Sequence, residues 1–177
     1  MRGRVVALAS LLLACGPSGG AGTGGTVAPG EASRGHSTLV GRVGEVLELT
    51  LPLLGGGSLE LSELRGHPVL LSLDDKGSPD RDRDQDRYRA LVEADEDIMV
   101  VSVGLDSVVE DLPAGWQDAP PFVLGWDPQG AVAARLGLVA LPTVVLLDPQ
   151  GRIVSVHEGA PPDDASLSTW LGPGNGT

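Results

Sequence analysis

GHPVLLSLDDKGSPDRDRDQDRYRALV, residues 66–92, is the stretch that decides the fold. Its apolar run at 68–73 is typical of a strand that is buried on both faces of a sheet. A polar turn at 74–77 separates that strand from a charged segment, which we expect to be helical from about Pro79 to Ala94. In many α/β proteins the chemistry lies at such a strand-to-helix junction, against the N-terminus of the helix. We therefore look for function first at residues 74–81, called the junction below.

The start of this helix has a consistent local pattern. Ser78 is a good N-cap, Pro79 suits the first helical position, and Asp80 suits the positive first turn. Acidic and basic residues alternate through 80–87, and the first two turns have no apolar stripe. Without an apolar stripe a helix has nothing to bury against a core. We expect these turns to project into solvent and to fray.

The remaining elements follow from apolar patterns on either side of the junction. Alternation at 46–51 and 58–61 predicts a hairpin, followed by one helical turn at 62–65. Apolar runs predict strands at 98–103, 122–126, 143–147 and 153–157, and helices are predicted at 131–136 and 161–171. This order predicts an α/β domain with a mixed central β-sheet, helices on both faces, and an N-terminal β-hairpin extension.

Composition limits the functional classes. The chain of 177 residues has room for one domain plus tails, and its formal charge of −12 argues against a nucleic-acid partner, which needs basic patches. Cys15 is the single cysteine, so the chain can form no intramolecular disulfide, Cys-X-X-Cys pair or multi-cysteine zinc site.

The N-terminus predicts export and a lipid anchor. A basic start is followed by an apolar run at 5–14, too short to span a bilayer and typical of a secretory signal. The run ends in Leu12-Leu13-Ala14-Cys15, which resembles the lipobox of bacterial lipoproteins; the alternative is a plain secretory signal that contains a cysteine. We predict a signal peptide at 1–14, lipidation of Cys15, a flexible Gly/Ser-rich tether at 15–42 and a folded domain at 43–177. The membrane would be a partner through Cys15. The location would be the bacterial cell envelope, facing the periplasm, with the outer membrane favoured because no Asp follows Cys15.

Four segments have a pattern in common with a known family: residues 49–53 with 59–66, residues 67–71, residues 127–130 with 134–137, and Val139-Ala-Leu-Pro-Thr143. In this order they resemble the thioredoxin-like superfamily, in particular its TlpA and AhpC/TSA (redoxin) type. The last resembles the cis-proline loop of the family. The resemblance covers about three quarters of the chain and implies a thioredoxin-like fold.

The same resemblance fails at the junction. Family members place Trp-Cys-X-X-Cys there, whereas alignment on the strand places Ser78 and Arg81 at the two cysteine positions. These residues cannot form a disulfide, and a serine hydroxyl is far less acidic than a thiol. We therefore expect no catalytic residues and a redox-inactive binding or scaffold module for an envelope protein or peptide. Its candidate binding surface comprises Asp74, Asp75, Ser78, Leu141, Pro142 and Thr143. The alternative is a thiol-disulfide oxidoreductase or peroxiredoxin-type antioxidant protein that works with a partner's thiols.

Other candidates are less favoured. Asp74, Asp75 and Asp80 could hold a hard cation, but their spacing matches no known loop, so solvated carboxylates are the simpler expectation. His36, His67 and His157 are scattered and suggest no site. We predict no metal and no cofactor. Pro142 could keep a peptide-binding edge, although a turn that the fold requires is the favoured interpretation. Trp116 and Trp126 could line a neighbouring groove, but we expect them to be buried.

Overall fold

The computed structural model describes residues 37–118 and 120–172. The strands and helices follow in chain order: β1 (Thr50–Pro52), β2 (Ser58–Glu60), β3 (Val69–Asp74), α1 (Arg81–Ala94), β4 (Met99–Gly104), β5 (Val123–Trp126), α2 (Ala131–Leu136), β6 (Thr143–Leu147), β7 (Ile153–Glu158) and α3 (Asp164–Trp170). Short 3₁₀ turns occupy Val40–Arg42, Leu61–Leu64, Val109–Asp111 and Ala114–Asp118. Among these described helices, none has the length and apolar character needed to cross a bilayer.

The central sheet has the order β5-β4-β3-β6-β7 and is mixed, as predicted. Strand β3 pairs in parallel with β4 and antiparallel with β6, and all six of its residues are buried. That position explains why its sequence is a continuous apolar run. Strands β1 and β2 form the predicted N-terminal hairpin, which a bridge between Leu53 and Gly125 joins to the edge strand β5.

Two apolar cores lie on opposite faces of the sheet. Leu71 and Leu73 of β3 belong to one core, together with Leu136 of α2. Leu70 points the other way and packs in a core with Tyr88 of α1 and Trp170 of α3. Helices therefore cover both faces, as the sequence predicts. Because successive side chains of β3 point to opposite faces of the sheet, this one strand contributes residues to both cores.

The folded domain begins before the predicted boundary at residue 43. The amide of Ser37 donates to Glu158 Oε1 at 2.9 Å, and the hydroxyl of Thr38 donates to the carbonyl of Leu136 at 2.7 Å. Leu39 has no exposed surface. The last residues of the predicted 15–42 tether thus pack on the domain, because Leu39 supplies apolar area that the Gly-rich part lacks. The predicted signal peptide, Cys15, His36 and the rest of the tether lie outside the described residues.

Several predicted boundaries shift. The strand expected at 46–51 is reduced to Thr50–Pro52, with Val46 in an isolated bridge to Arg152. Helix α3 begins at Asp164 instead of residue 161, because Asp163 caps it by accepting a 2.7 Å hydrogen bond from the amide of Ser166. Helix α1 begins at Arg81, two residues later than expected.

Candidate functional site: the junction between β3 and α1

Three segments meet at one edge of the sheet because of the strand directions. Asp74 and Gly104 end the parallel strands β3 and β4 as paired residues, so the segments that follow both strands start side by side. Strand β6 runs antiparallel, and Thr143 at its beginning pairs with Leu73. The junction, the loop after β4 and the loop before β6 therefore share this edge.

Arg81 lies at the centre of the junction, inside the protein. Its side chain is only 8% exposed, and its Nε is 2.6 Å from Asp74 Oδ1. Nη2 donates to Asp106 Oδ2 at 2.7 Å, and Nη1 donates to the carbonyl of Asp111 at 3.0 Å. The prediction that the first turns of α1 project into solvent is therefore wrong for the face that carries Arg81, Asp84 and Gln85, whereas Asp82, Arg83 and Asp86 are exposed. The turn is held by a buried ion cluster of Asp74, Arg81 and Asp106.

The turn before α1 also differs from the prediction. Asp80 is the N-cap, with a left-handed backbone (φ 56°) and no side-chain capping bond. Ser78 instead closes the turn on Asp75. Its hydroxyl donates to Asp75 Oδ1 at 3.2 Å and accepts from the Asp75 amide at 3.1 Å. The predicted N-cap role of Ser78 is wrong because its side chain bonds backward, to the loop, and not forward, to the helix.

A buried polar network supports the ion cluster. Gln85 Nε2 donates to Ser102 Oγ at 2.9 Å and to Asp74 Oδ2 at 3.4 Å. The indole of Trp116 in turn donates to Gln85 Oε1 at 3.4 Å. These bonds satisfy polar groups that would otherwise be costly to bury. Trp116 is buried, as expected.

Asp106 is the residue that sequence reasoning missed. Its carboxylate accepts hydrogen bonds from the guanidinium of Arg81 and, at 2.8 Å, from the backbone amide of Lys76. Its backbone carbonyl accepts a hydrogen bond from the indole of Trp126 at 2.8 Å. It follows the apolar run of β4, as Asp74 ends that of β3. A carboxylate at or just after the end of each of two adjacent parallel strands is a signal in the sequence. It could have indicated that Asp74 and Asp106 both lie close to Arg81, the first arginine of α1.

Burial sets the electrostatics of this cluster. It raises the pKa of Asp74 to about 6, although the positive charge of Arg81 acts in the opposite direction. The negative charge of Asp106 adds to the rise. Two carboxylates share one guanidinium, so the cluster carries one excess negative charge when both are ionised. It can therefore take up one proton in mildly acidic solution.

The predicted binding surface divides into buried and accessible residues. Asp74, Ser78, Pro142 and Thr143 are buried, and Thr143 donates its hydroxyl to the carbonyl of Ala140 at 2.7 Å. Asp75 and Leu141 remain partly accessible. The Leu141–Pro142 peptide bond is cis, as the resemblance implies. Four of the six residues are therefore largely buried, although Ser78 still lines a cleft beside the first turn of α1.

The other candidates do not converge. Asp74 pairs with Arg81 inside the protein, whereas Asp80 pairs with Arg83 on the surface. Over residues 37–118 and 120–172, no group of three or more His, Cys, Asp or Glu side chains is arranged to hold a metal ion. His67 contacts the carbonyl of Asp97, and His157 contacts Ser155 on β7, so the two histidines have separate surroundings.

Solved structures match this arrangement of strands and helices. A thiol-disulfide oxidoreductase from Bacteroides fragilis is 21% identical, with a TM-score of 0.57 over 71% of this chain and 96% of that one. The thioredoxin domain of a thiol-disulfide oxidoreductase from Bacteroides vulgatus is 22% identical, with a TM-score of 0.58 over 72% and 94%. A secreted disulfide oxidoreductase from Mycobacterium tuberculosis, homologous to E. coli DsbE, is 17% identical, with a TM-score of 0.59 over 70% and 94%. This chain has a thioredoxin-like fold. No protein-family model matches the sequence, and no curated protein matches it.

Because the fold is thioredoxin-like, the residues at the junction can be compared with those that the superfamily has there. The resemblance places the two redox cysteines of the superfamily where this chain has Ser78 and Arg81. In the structure these residues are a turn-closing serine and a buried arginine with two carboxylate partners. Cys15, the single cysteine of the sequence, precedes the described domain.

Proposed function

We propose that this chain is a lipid-anchored protein of the bacterial cell envelope whose thioredoxin-like domain binds a partner without catalysing thiol-disulfide exchange. The observation that carries the proposal is Arg81, whose guanidinium is buried between Asp74 and Asp106 at the helix start. Disulfide exchange needs an attacking thiolate and a second sulfur within reach. An arginine held by two carboxylates supplies neither.

The proposed location depends on the N-terminus and on one structural relative. The apolar run at 5–14 and the Leu-Leu-Ala-Cys15 sequence support export followed by lipidation. The relative from M. tuberculosis is described as secreted, which supports a location beyond the cytoplasmic membrane. Because a single acyl chain binds membranes only weakly, a stable anchor at Cys15 would carry more than one.

A second candidate is a thiol-disulfide oxidoreductase that works with a partner's thiols. The similarity to the three oxidoreductase structures favours it, but fold alone does not establish activity. The two candidates differ in one measurable property, which is turnover of a disulfide or a peroxide.

The test is insulin-disulfide reduction and peroxide consumption by the full chain, with Ser78→Ala and Cys15→Ala variants in parallel. We expect all three proteins to stay at the rate of the buffer with reductant alone. The Cys15→Ala variant reports any contribution of the single thiol. Turnover by the wild type that Ser78→Ala lowers would overturn the proposed function and favour the oxidoreductase.

A further inference from the structure

The loop after β4 crosses the junction as a strap. Residues 107–116, called the strap below, follow β4 and Asp106, and residues 111–114 face the first turn of α1 across a cleft of about 520 Å³. The side chains at 107–110 are exposed, and Val108 and Val109 keep 46% and 48% of their surface in solvent. A segment that buries so little apolar surface is held by few contacts and can open without unfolding of the domain.

Apolar packing seats the strap beside the end of β4. A Cβ placed on Gly104 would lie 2.3 Å from Leu112 Cδ2 and 3.4 Å from the ring of Trp116, so these two side chains occupy the space that the glycine leaves free. Gly104 is the register partner of Asp74 on β3. The seat of the strap therefore lies beside the buried carboxylate of the ion cluster, and lifting the strap gives water a path to that carboxylate.

Two polar routes join the strap to Asp74. Arg81, whose Nε lies 2.6 Å from Asp74 Oδ1, donates through Nη1 to the carbonyl of Asp111 at 3.0 Å. Gln85 Nε2 donates to Asp74 Oδ2 at 3.4 Å, and Gln85 Oε1 accepts from the indole of Trp116 at 3.4 Å. The strap is therefore held by the same two side chains, Arg81 and Gln85, that contact Asp74.

The charges around Asp74 do not balance when this residue is ionised. Arg81 faces it from α1 and Asp106 faces it from the loop after β4, and the three side chains are between 2% and 8% exposed. Tyr88 of α1 also lies close, but burial raises its pKa well above the usual range, so its hydroxyl stays neutral. The ammonium of Lys76 pairs on the surface with a carboxylate of the strap. Two ionised carboxylates and one guanidinium therefore leave one negative charge in a closed site, which is costly to keep from water.

We propose that the strap opens when Asp74 loses its proton and closes when Asp74 takes the proton up, so that the junction is covered in mildly acidic solution and uncovered at neutral pH. The closed strap keeps water from the carboxylate, and burial there raises the pKa of Asp74 from 3.8 to about 6. Opening admits water and returns the pKa toward its ordinary value. Opening therefore releases a proton, and the open form gains population as pH rises. This switch goes beyond the proposed binding role and does not depend on it.

The test measures exchange of the indole N–H of Trp116 by NMR, on the isotope-labelled full chain in mild detergent at pH 5 and pH 7.5. Each rate is divided by that of N-acetyltryptophanamide at the same pH, and a Trp116→Phe variant assigns the signal. We expect exchange to be about 3–10-fold faster at pH 7.5, because a pKa that falls from about 6 toward 3.8 on opening shifts the equilibrium by at most about tenfold over this range. The backbone amides of β3, which exchange through global unfolding, should stay far more protected than this indole.

Asp74→Asn keeps the shape of the side chain without its charge, and we expect its Trp116 rate to differ less than twofold between the two pH values. The matched control, Glu110→Gln, removes one charge from an exposed position of the strap and should keep the response of the wild type. Four results would each overturn the proposal: equal wild-type rates at both pH values, a full response in Asp74→Asn, loss of the response in Glu110→Gln, or equal protection of Trp116 and the β3 amides. The first and the last need only the wild type, so the test does not depend on how well a variant folds.

Discussion

At the scale of single residues, Arg81 decides what the junction can be. It pairs with two carboxylates, Asp74 and Asp106, in a site that is nearly closed to solvent. Removing one member of a buried ionic cluster leaves uncompensated charge, which costs about 3–5 kcal/mol. We predict that Arg81→Met lowers the free energy of unfolding by this amount in urea titrations at pH 7. Arg83→Met is the control, since its side chain is 68% exposed and its pair with Asp80 is superficial.

The comparison between the two arginines is decisive. If Arg81→Met costs no more than Arg83→Met, the cluster does not hold the start of α1, and Arg81 no longer supports the proposed function. A large loss for both variants would instead point to a general need for positive charge along this acidic helix.

Asp74 predicts a specific pH dependence. Its pKa is raised by burial from 3.8 to about 6, so the folded protein binds this proton more tightly than the unfolded chain. Stability from this group is therefore fully present below pH 3.8 and is lost as pH rises through 6, a change of about 3 kcal/mol. We predict that the unfolding free energy of the wild type minus that of Asp74→Asn falls by this amount between pH 3.5 and pH 7.

The difference between the two proteins is needed because other groups titrate nearby. Burial lowers the pKa of His157 and raises that of Asp84, and these act in opposite directions on the total curve. Both groups are present in the wild type and in Asp74→Asn, so their contributions cancel when the unfolding free energy of one protein is subtracted from that of the other. A difference that stays constant with pH would mean that folding leaves the pKa of Asp74 unshifted, and a difference that rises with pH would mean that the attraction of Arg81 outweighs burial.

At the scale of elements, the segment before β1 tests where the domain begins. Leu39 is fully buried, whereas Val43, four residues later, is 53% exposed. We predict that Leu39→Ala lowers the unfolding free energy by about 2–4 kcal/mol through lost burial and the cavity it leaves. Val43→Ala should cost less than about 0.5 kcal/mol. Circular dichroism during urea unfolding measures both. Equal, small effects would show that residues 37–42 belong to the tether after all.

Elements whose burial is visible in their own sequence could be predicted. The apolar run of β3, the short helix α2 ended by Gly137, and the hairpin of β1 and β2 all have local signals that match their surroundings. The start of α1 could not be predicted in this way. Its charged residues indicate a solvated helix. Arg81 nevertheless pairs with Asp74 and Asp106, because the pairing of β3 with β4 brings these two carboxylates together, and no local sequence pattern shows that pairing. Leu39 was missed for a related reason, because a lone apolar residue in a polar stretch has no periodicity.

The position of the candidate site could be predicted from the sequence, but the burial and contacts of its residues could not. The resemblance pointed to residues 74–81 and to the cis-Pro142 loop, and the structure places both at one edge of the sheet. It could not show that four of the six predicted binding residues are buried, because burial depends on the segments that cover them.

At the scale of the whole molecule, a thioredoxin-like domain is combined with an N-terminal segment that we propose carries a lipid. The junction holds an ion cluster where the resemblance places the redox cysteines, and we propose that the domain binds a partner without turnover. Binding at a membrane surface is a role that such a domain can still perform. Because the proposed lipid anchor would confine the domain to a thin layer, even a weakly binding surface would meet its partner at a high effective concentration.

The anchor itself can be tested through Cys15. We predict that Cys15→Ala moves the protein from the membrane fraction to the soluble envelope fraction, because two or more acyl chains are the only strong membrane attachment that the sequence predicts. Fractionation followed by detergent phase partitioning measures this, and metabolic labelling with a fatty acid should mark the wild type alone. Ser18→Ala, three residues along the tether, is the control and should stay with the membrane. A Cys15→Ala protein that remains membrane-bound and unlabelled would show that the lipobox prediction is wrong and that another contact holds the domain there.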